Sequence, residues 1–230
     1  MKILLIDDEE SILNLIKVNL QLEGFQVITG VCGEEAIKLF KRESPDLVVL
    51  DLMLPYIDGF EIMKELQSEN SEISIIVLSA KDQLNDKLLG LQLGADDYVT
   101  KPFDSRELIL RIRAIIRIIN KAKLIDNNEN VDSSHIIEKE FIKITKSERK
   151  VFIDSVEGSF TYIEFEILLL MLQNINKVFT RDELIQKIWG YDFVGNSRVV
   201  DIHITRIREK MGKYQDTIKT TYGVGYRLEV

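Results

Sequence analysis

Leu47-Val48-Val49-Leu50-Asp51-Leu52-Met53-Leu54-Pro55 is the stretch on which the fold turns. Four apolar residues, rich in Val and Leu, end at a carboxylate and a Pro-containing loop. That pattern reads as a strand buried on both faces of a parallel sheet, delivering Asp51 at its carboxyl end. A charge is expensive to bury unless something needs it there. Asp51 is therefore the residue around which the rest of the chain is read, as a candidate phosphate acceptor.

Outward from this strand, apolar runs at Lys2 to Ile6, Gln26 to Thr29, Ile73 to Leu78 and Asp97 to Thr100 alternate with amphipathic helical patterns. Strands alternating with helices require crossovers, so residues 1–120 are expected to form an α/β domain, a doubly wound (βα)5 parallel sheet of five strands and five helices. Gly24, Asp58-Gly59 and Asp104 or Ser105 supply helix ends. Residues 121–138 lose periodicity and fill with Asn, Asp and Ser, which predicts a flexible linker.

From Lys139 the pattern changes. Short strands at Phe141 to Ile144 and Val151 to Ile153 precede a turn at Glu157-Gly158. Three helices follow, two of them opened by the capping boxes Thr161 with Glu164 and Thr180 with Glu183. The chain closes with Ile218 to Thr220 and Tyr226 to Leu228, turning at Gly223-Val224-Gly225. That order predicts an α+β winged helix-turn-helix domain over residues 139–230.

Composition narrows the classes. A length of 230 residues suits two modest domains, and 45% hydrophobic with 30% charged residues is ordinary for a globular chain. One cysteine, Cys32, excludes an internal disulfide framework. No leader pattern follows Met1, and Arg111, Arg113 and Arg117 interrupt the greasiest helix, so a cytoplasmic protein without a membrane span is expected. The net charge of -8 is uneven: residues 1–120 hold 13 Lys and Arg against 21 Asp and Glu, and residues 121–230 hold 17 of each.

In a doubly wound sheet, ligands bind beyond the carboxyl ends of the strands. Those ends carry Asp7-Asp8, Asp51, Ser79 and Lys101. Carboxylates gathered this closely repel one another unless a cation sits among them, and Mg²⁺ suits such oxygen ligands. Lys101 then has an anion to meet if Asp51 carries a phosphoryl group, with Mg²⁺ and Lys101 neutralising the oxygens as Asp51 attacks in line.

On these residues, with Asp51 inside Asp51-Leu52-Met53-Leu54-Pro55, Ser79-Ala80 and Lys101-Pro102-Phe103, the first half resembles the CheY-like receiver domain of two-component response regulators. The resemblance implies that a sensor histidine kinase phosphorylates Asp51. It also implies that Asp8, Asp51 and the Met53 carbonyl hold the metal, that Asp7 acts through water, and that Lys101-Pro102 is a cis peptide. Haloacid-dehalogenase phosphatases also phosphorylate an Asp but place a second acid two residues on, where this chain has Met53.

A phosphoryl group beside Ser79 offers its hydroxyl a strong acceptor, and by resemblance the ring of Tyr98 rotates into the space that opens. The rival reading leaves Tyr98 a half-buried strand residue. The helix from Glu107 to Ile119 carries more apolar surface than one core contact consumes, which predicts a self-complementary face. Resemblance to the OmpR/PhoB subfamily implies a homodimer when phosphorylated, with Lys87–Glu107 and Asp97–Arg111 pairs across a two-fold axis. Ile118 stands where that subfamily often has a second basic residue.

The second half resembles the winged-helix effector of the same subfamily in Thr161 to Phe165, Thr180 to Leu184, Ile188-Trp189-Gly190, Arg198 to Ile204 and Gly223 to Arg227. Its third helix is expected to bury Val200, Ile204, Ile207 and Met211. It would then turn Arg198, Val199, His203, Arg206 and Lys210 toward double-stranded DNA, at paired half-sites. The neutrality of this half weakens the electrostatic case, yet residues 198–230 hold 7 basic against 4 acidic residues. Tyr222 stands in the wing where many relatives place a minor-groove arginine, and Gly190 to Asn196 is where relatives meet RNA polymerase. A protein-binding effector or a phosphate sink is the alternative.

Overall fold

Val48, Val49 and Leu50 have no polar face to offer water, and the structure gives them none. The strand β3 (Leu47–Asp51) is buried throughout and lies between β1 (Lys2–Ile6) and β4 (Ser74–Ser79). The computed structural model describes residues 1–80, 89–126 and 136–230, with residues 124–126 given by their backbone. The chain divides into two units, Met1–Ile116 and Arg117–Val230.

In the first unit, β2 (Gln26–Gly30) and β5 (Asp97–Thr100) complete a parallel sheet in the order β2-β1-β3-β4-β5. The order reverses between β1 and β3, which opens a crevice at their carboxyl ends. The helices are α1 (Glu10–Leu22), α2 (Gly33–Glu43), α3 (Gly59–Glu69), α4, described over residues 89–92, and α5 (Ser105–Asp126). Asp58 caps α3 by accepting from the Phe60 N–H at 3.0 Å, and Asp104 accepts from the Arg106 N–H at 2.8 Å at the start of α5. A Cβ at Gly59 would lie 2.4 Å from the Leu52 Cα, so only glycine lets α3 start against the loop that leaves Asp51.

Two expectations change here. Residues 121–126, expected to open the linker, are helical: Lys121, Ala122 and Lys123 are good helix formers, Ala122 is fully buried, and α5 runs on to Asp126. At the other end, β6 (Ile136–Lys139) pairs antiparallel with β7, leaving residues 127–135 outside the described residues. The apolar surplus of α5 is also smaller than expected. Leu108, Ile112, Ile115, Ile116, Ile118 and Ile119 are all buried within the chain.

The second unit begins with an antiparallel sheet of β6, β7 (Ile142–Thr145), β8 (Lys150–Ile153) and β9 (Val156–Gly158). Glu157 and Gly158, expected as a turn, belong to β9. Then come α6 (Tyr162–Leu172), the two-residue strand β10 (Phe179–Thr180), α7 (Arg181–Ile188) and α8 (Arg198–Met211). The wing is β11 (Ile218–Thr221) and β12 (Gly225–Leu228), joined by β10 in a sheet ordered β10-β12-β11. Both capping boxes form: Thr161 N–H donates to Glu164 at 2.9 Å and Thr180 N–H to Glu183 at 2.8 Å. The single tryptophan, Trp189, is fully buried in this unit.

Candidate functional sites: a carboxylate crevice and a helix face

Strand ends β1, β3 and β5 bring Asp7, Asp51 and Lys101 into one crevice. The Lys101 ammonium lies 2.6 Å from Asp51 Oδ2 and 2.7 Å from Asp7 Oδ2, and both aspartates are almost wholly buried. Asp51 Oδ1 accepts from the Met53 N–H at 2.8 Å, and Asp7 Oδ1 from the Glu9 N–H at 2.9 Å. Asp8, which is exposed, completes a group whose carboxylate oxygens with those of Asp7 and Asp51 lie within 4.8 Å of one another. The Lys101-Pro102 peptide is cis, and the Lys101 N–H donates to the Ser79 carbonyl at 2.8 Å. The Ser79 side chain is buried beside it, whereas Ala80 is exposed.

Uncompensated burial of one carboxylate costs several kcal/mol, and the Lys101 ammonium is the counter-charge these two buried acids share. Burial works against the charge on Lys101, but its hydrogen bonds to Asp51 and Asp7 outweigh it and raise its pKa. Burial raises the pKa of Asp7, against the pull of Lys101. Glu9 is a fourth carboxylate here, its Oε1 3.3 Å from Lys101. Its place in the run Asp7-Asp8-Glu9-Glu10 was the signal for it. Four acids around one ammonium leave an excess of negative charge, and hard oxygen donors in that arrangement fit Mg²⁺.

Tyr98, the expected switch residue, is buried, and its ring packs where a Cβ on Gly90 would come within 3.1 Å of it. The expected dimer residues divide. Lys87 lies outside the described residues. Asp97 and Arg111, expected to pair between protomers, pair within one chain: Arg111 Nη1 reaches the two Asp97 oxygens at 2.9 and 2.8 Å, and Nη2 reaches Glu107 at 2.6 Å. Arg111 stands one turn after Glu107 on α5, and from there its guanidinium also reaches Asp97 at the start of β5.

On α8 the inward stripe is as expected, with Val200, Ile204, Ile207 and Met211 all buried. The outward face is not. Val199, His203 and Arg206 are buried as well, because α8 is covered along a wider arc than one stripe. Arg206 and Lys210 both turn to Glu164 of α6, at 2.6 and 2.5 Å. Burial raises the pKa of Glu164, but the charges of Arg206 and Lys210 outweigh it and hold it below the usual carboxylate value.

Arg198 and Tyr222 are exposed, and Asp201, Thr205 and Arg208 are half-buried. Asp201 accepts from Arg181 Nε at 2.6 Å and from the Tyr226 hydroxyl at 2.7 Å, while Arg208 donates to the Ile218 carbonyl at 2.6 Å and to Thr220 at 2.9 Å. These bonds tie α7, α8 and the wing into one polar surface. Arg181 and Arg208 were missed by periodicity, since their partners are distant in sequence.

A carboxylate crevice of this kind, in the same chain as a winged helix, defines a response regulator. Residues 3–113 match the response regulator receiver domain family, and residues 156–228 match the family described as transcriptional regulatory protein, C terminal. The chain belongs to the OmpR/PhoB family of two-component response regulators, whose C-terminal domain is a DNA-binding transcription regulator. It is 43% identical over 231 residues to the alkaline phosphatase synthesis transcriptional regulatory protein PhoP of Bacillus subtilis, covering 99% of this chain and 96% of that one. It is 37% identical to SphR of Synechococcus elongatus, which has the same description, over 99% and 90% of the two chains. Among solved structures, DrrB of Thermotoga maritima, an OmpR/PhoB homolog, matches at 32% identity with a TM-score of 0.51 over 100% and 99%. A RitR mutant matches at 25% identity with a TM-score of 0.78 over 99% and 98%.

Proposed function

We propose that a sensor histidine kinase phosphorylates Asp51, and that the phosphorylated chain dimerises and binds DNA at paired half-sites in the cytoplasm, regulating transcription. The observation that carries this is the Lys101 ammonium 2.6 Å from a buried Asp51 carboxylate among acids. Asp51 attacks phosphorus in line, the bond to the donor imidazole breaks, and its electron pair leaves with that ring. The Met53 N–H and Lys101 hold the carboxylate in place before attack, and Lys101 then meets the oxygens of the transferred group. Asp7, Asp8, Asp51 and the Met53 carbonyl would hold Mg²⁺, which neutralises charge on the transferring phosphoryl group.

The new anion draws the Ser79 hydroxyl inward, and Tyr98 repacks against Gly90. The pair of Asp97 and Arg111 is already satisfied inside one chain, so a dimer that uses it must exchange the partner across the axis. Glu107 stays with Arg111, and Lys87 would join it from the other protomer. In the effector, Arg198, Thr205 and Tyr222 meet the duplex, with Arg181 and Arg208 bracing the same surface. The buried Val199, His203 and Arg206 support the helix from within, and the exposed Lys210 turns to Glu164. The segment 190–196, with Tyr191 and Val194 exposed, is the surface for RNA polymerase.

Incubation with acetyl phosphate and Mg²⁺ should add one phosphoryl mass to the chain and none to Asp51→Ala. Footprinting with and without the donor then tests the output step. Unchanged mass, or footprints that ignore the donor, would remove the reading.

A further inference from the structure

Two helices of the effector open with the same device, a Thr whose N–H is accepted by a Glu three residues on, yet the two glutamates live differently. Glu183 caps α7 half-buried, with no ion pair within 4.0 Å among the described residues. Glu164 caps α6 with no solvent exposure and is gripped by both Arg206 and Lys210. A capping box needs only an acceptor at that place, and glutamine serves as well as glutamate. A wholly buried charge at the cap is therefore more than capping requires, and a buried ion pair is by itself weak evidence of a role in stability.

We propose that Glu164 is a specificity-determining positioning residue of the DNA interface. It occupies Arg206 and Lys210 as a built-in stand-in for phosphate and keeps these two α8 cations from adding sequence-independent attraction to the duplex. The inference rests on the proposed binding of DNA through α8. Phosphate contacts dominate non-specific affinity and carry no sequence information, so each cation withdrawn from the backbone raises the share of binding contributed by base contacts. Both side chains are long enough to swing out once Glu164 is neutral, and the Lys210 side chain is already 31% exposed.

The test uses the full chain with a mixed-sequence duplex, following affinity by fluorescence anisotropy across a salt series. Glu164→Gln keeps the cap acceptor and removes the charge. It should steepen the slope of log affinity against log salt by about 0.9 to 1.8. The affinity lost between 50 and 200 mM salt should then grow about 3- to 12-fold relative to the unmutated chain. A merely structural role would weaken binding at every salt without steepening the slope, and that result overturns the proposal. Independently of any variant, the Lys210 ammonium resonance of the unmutated chain should keep its chemical shift when duplex is added; movement places Lys210 on phosphate already and also overturns the proposal. If the unmutated chain binds no duplex at low salt, the DNA reading itself falls and takes this inference with it. The salt-slope and resonance outcomes strike the inference alone.

Discussion

The ammonium of Lys101 lies 2.6 Å from the carboxylate of Asp51, fifty positions earlier in the chain, and it answers for Asp7 at the same time. Lys101→Ala removes the shared counter-charge from two buried acids. In Mg²⁺-free buffer the receiver unit should lose about 1–3 kcal/mol, less than for a fully buried pair because the crevice is open to water. Millimolar Mg²⁺ should restore part of that, since a cation that binds only the folded crevice stabilises it by mass action. Urea unfolding with and without Mg²⁺ checks this, and a variant as stable as the parent in the absence of metal would contradict it.

Asp97 and Arg111 make the same kind of bond on the other side of the receiver, where Arg111 is 7% exposed. Asp97→Asn leaves that guanidinium with Glu107 alone and should destabilise the receiver by about 2–4 kcal/mol, whereas Glu107→Gln, at a more exposed site, should cost under about 1 kcal/mol. Equal effects in denaturant titration would show that the buried pair is not the stabilising one.

Glu164 sets an acid limit on the effector. Its folded pKa is below its ordinary 4.5, so its stabilising contribution is fully present above that value and is lost as pH falls through the folded one. Fluorescence of Trp189, the single tryptophan, reports this unit. Glu164→Gln should flatten the decline of effector stability below about pH 4.5. A parallel decline in the two proteins would mean that another acid sets the limit.

Arg198 is exposed at the first turn of α8, where Arg206 and His203 are not. Arg198→Ala should weaken binding to all duplexes alike and lower the salt slope by about 1 if it meets phosphate. A loss confined to one sequence would instead make it a base-reading residue.

Much of the receiver was legible from pattern. Alternation of apolar runs and amphipathic helices placed all five strands to within a residue at either end, most plainly β3 and β4, where burial on both faces leaves no exposed position to blur the reading. The crevice was legible for a related reason: chemistry sits at strand ends, and strand ends are visible in a sequence. Glu9 escaped because an acid beside two others carries no periodic signal. In the effector, β6 lay hidden behind a polar stretch, and β10, two residues long, exists only because β12 lies beside it.

The outer face of α8 shows where pattern reading stops. A helical wheel separates apolar from charged positions, and it put Val200, Ile204, Ile207 and Met211 inward, as they are. It had no means of knowing that Glu164, forty-two positions before Arg206, would draw Arg206 inward and bind Lys210.

The chain by itself determined the two architectures and the set of groups around Asp51, because local periodicity and strand-end position follow from covalent order. Tertiary structure alone decided which charge meets which: Lys101 with Asp51 and Asp7, Arg111 with Asp97 of its own chain, Arg206 and Lys210 with Glu164. Coulomb attraction acts over a few ångströms of space and takes no account of distance along the sequence.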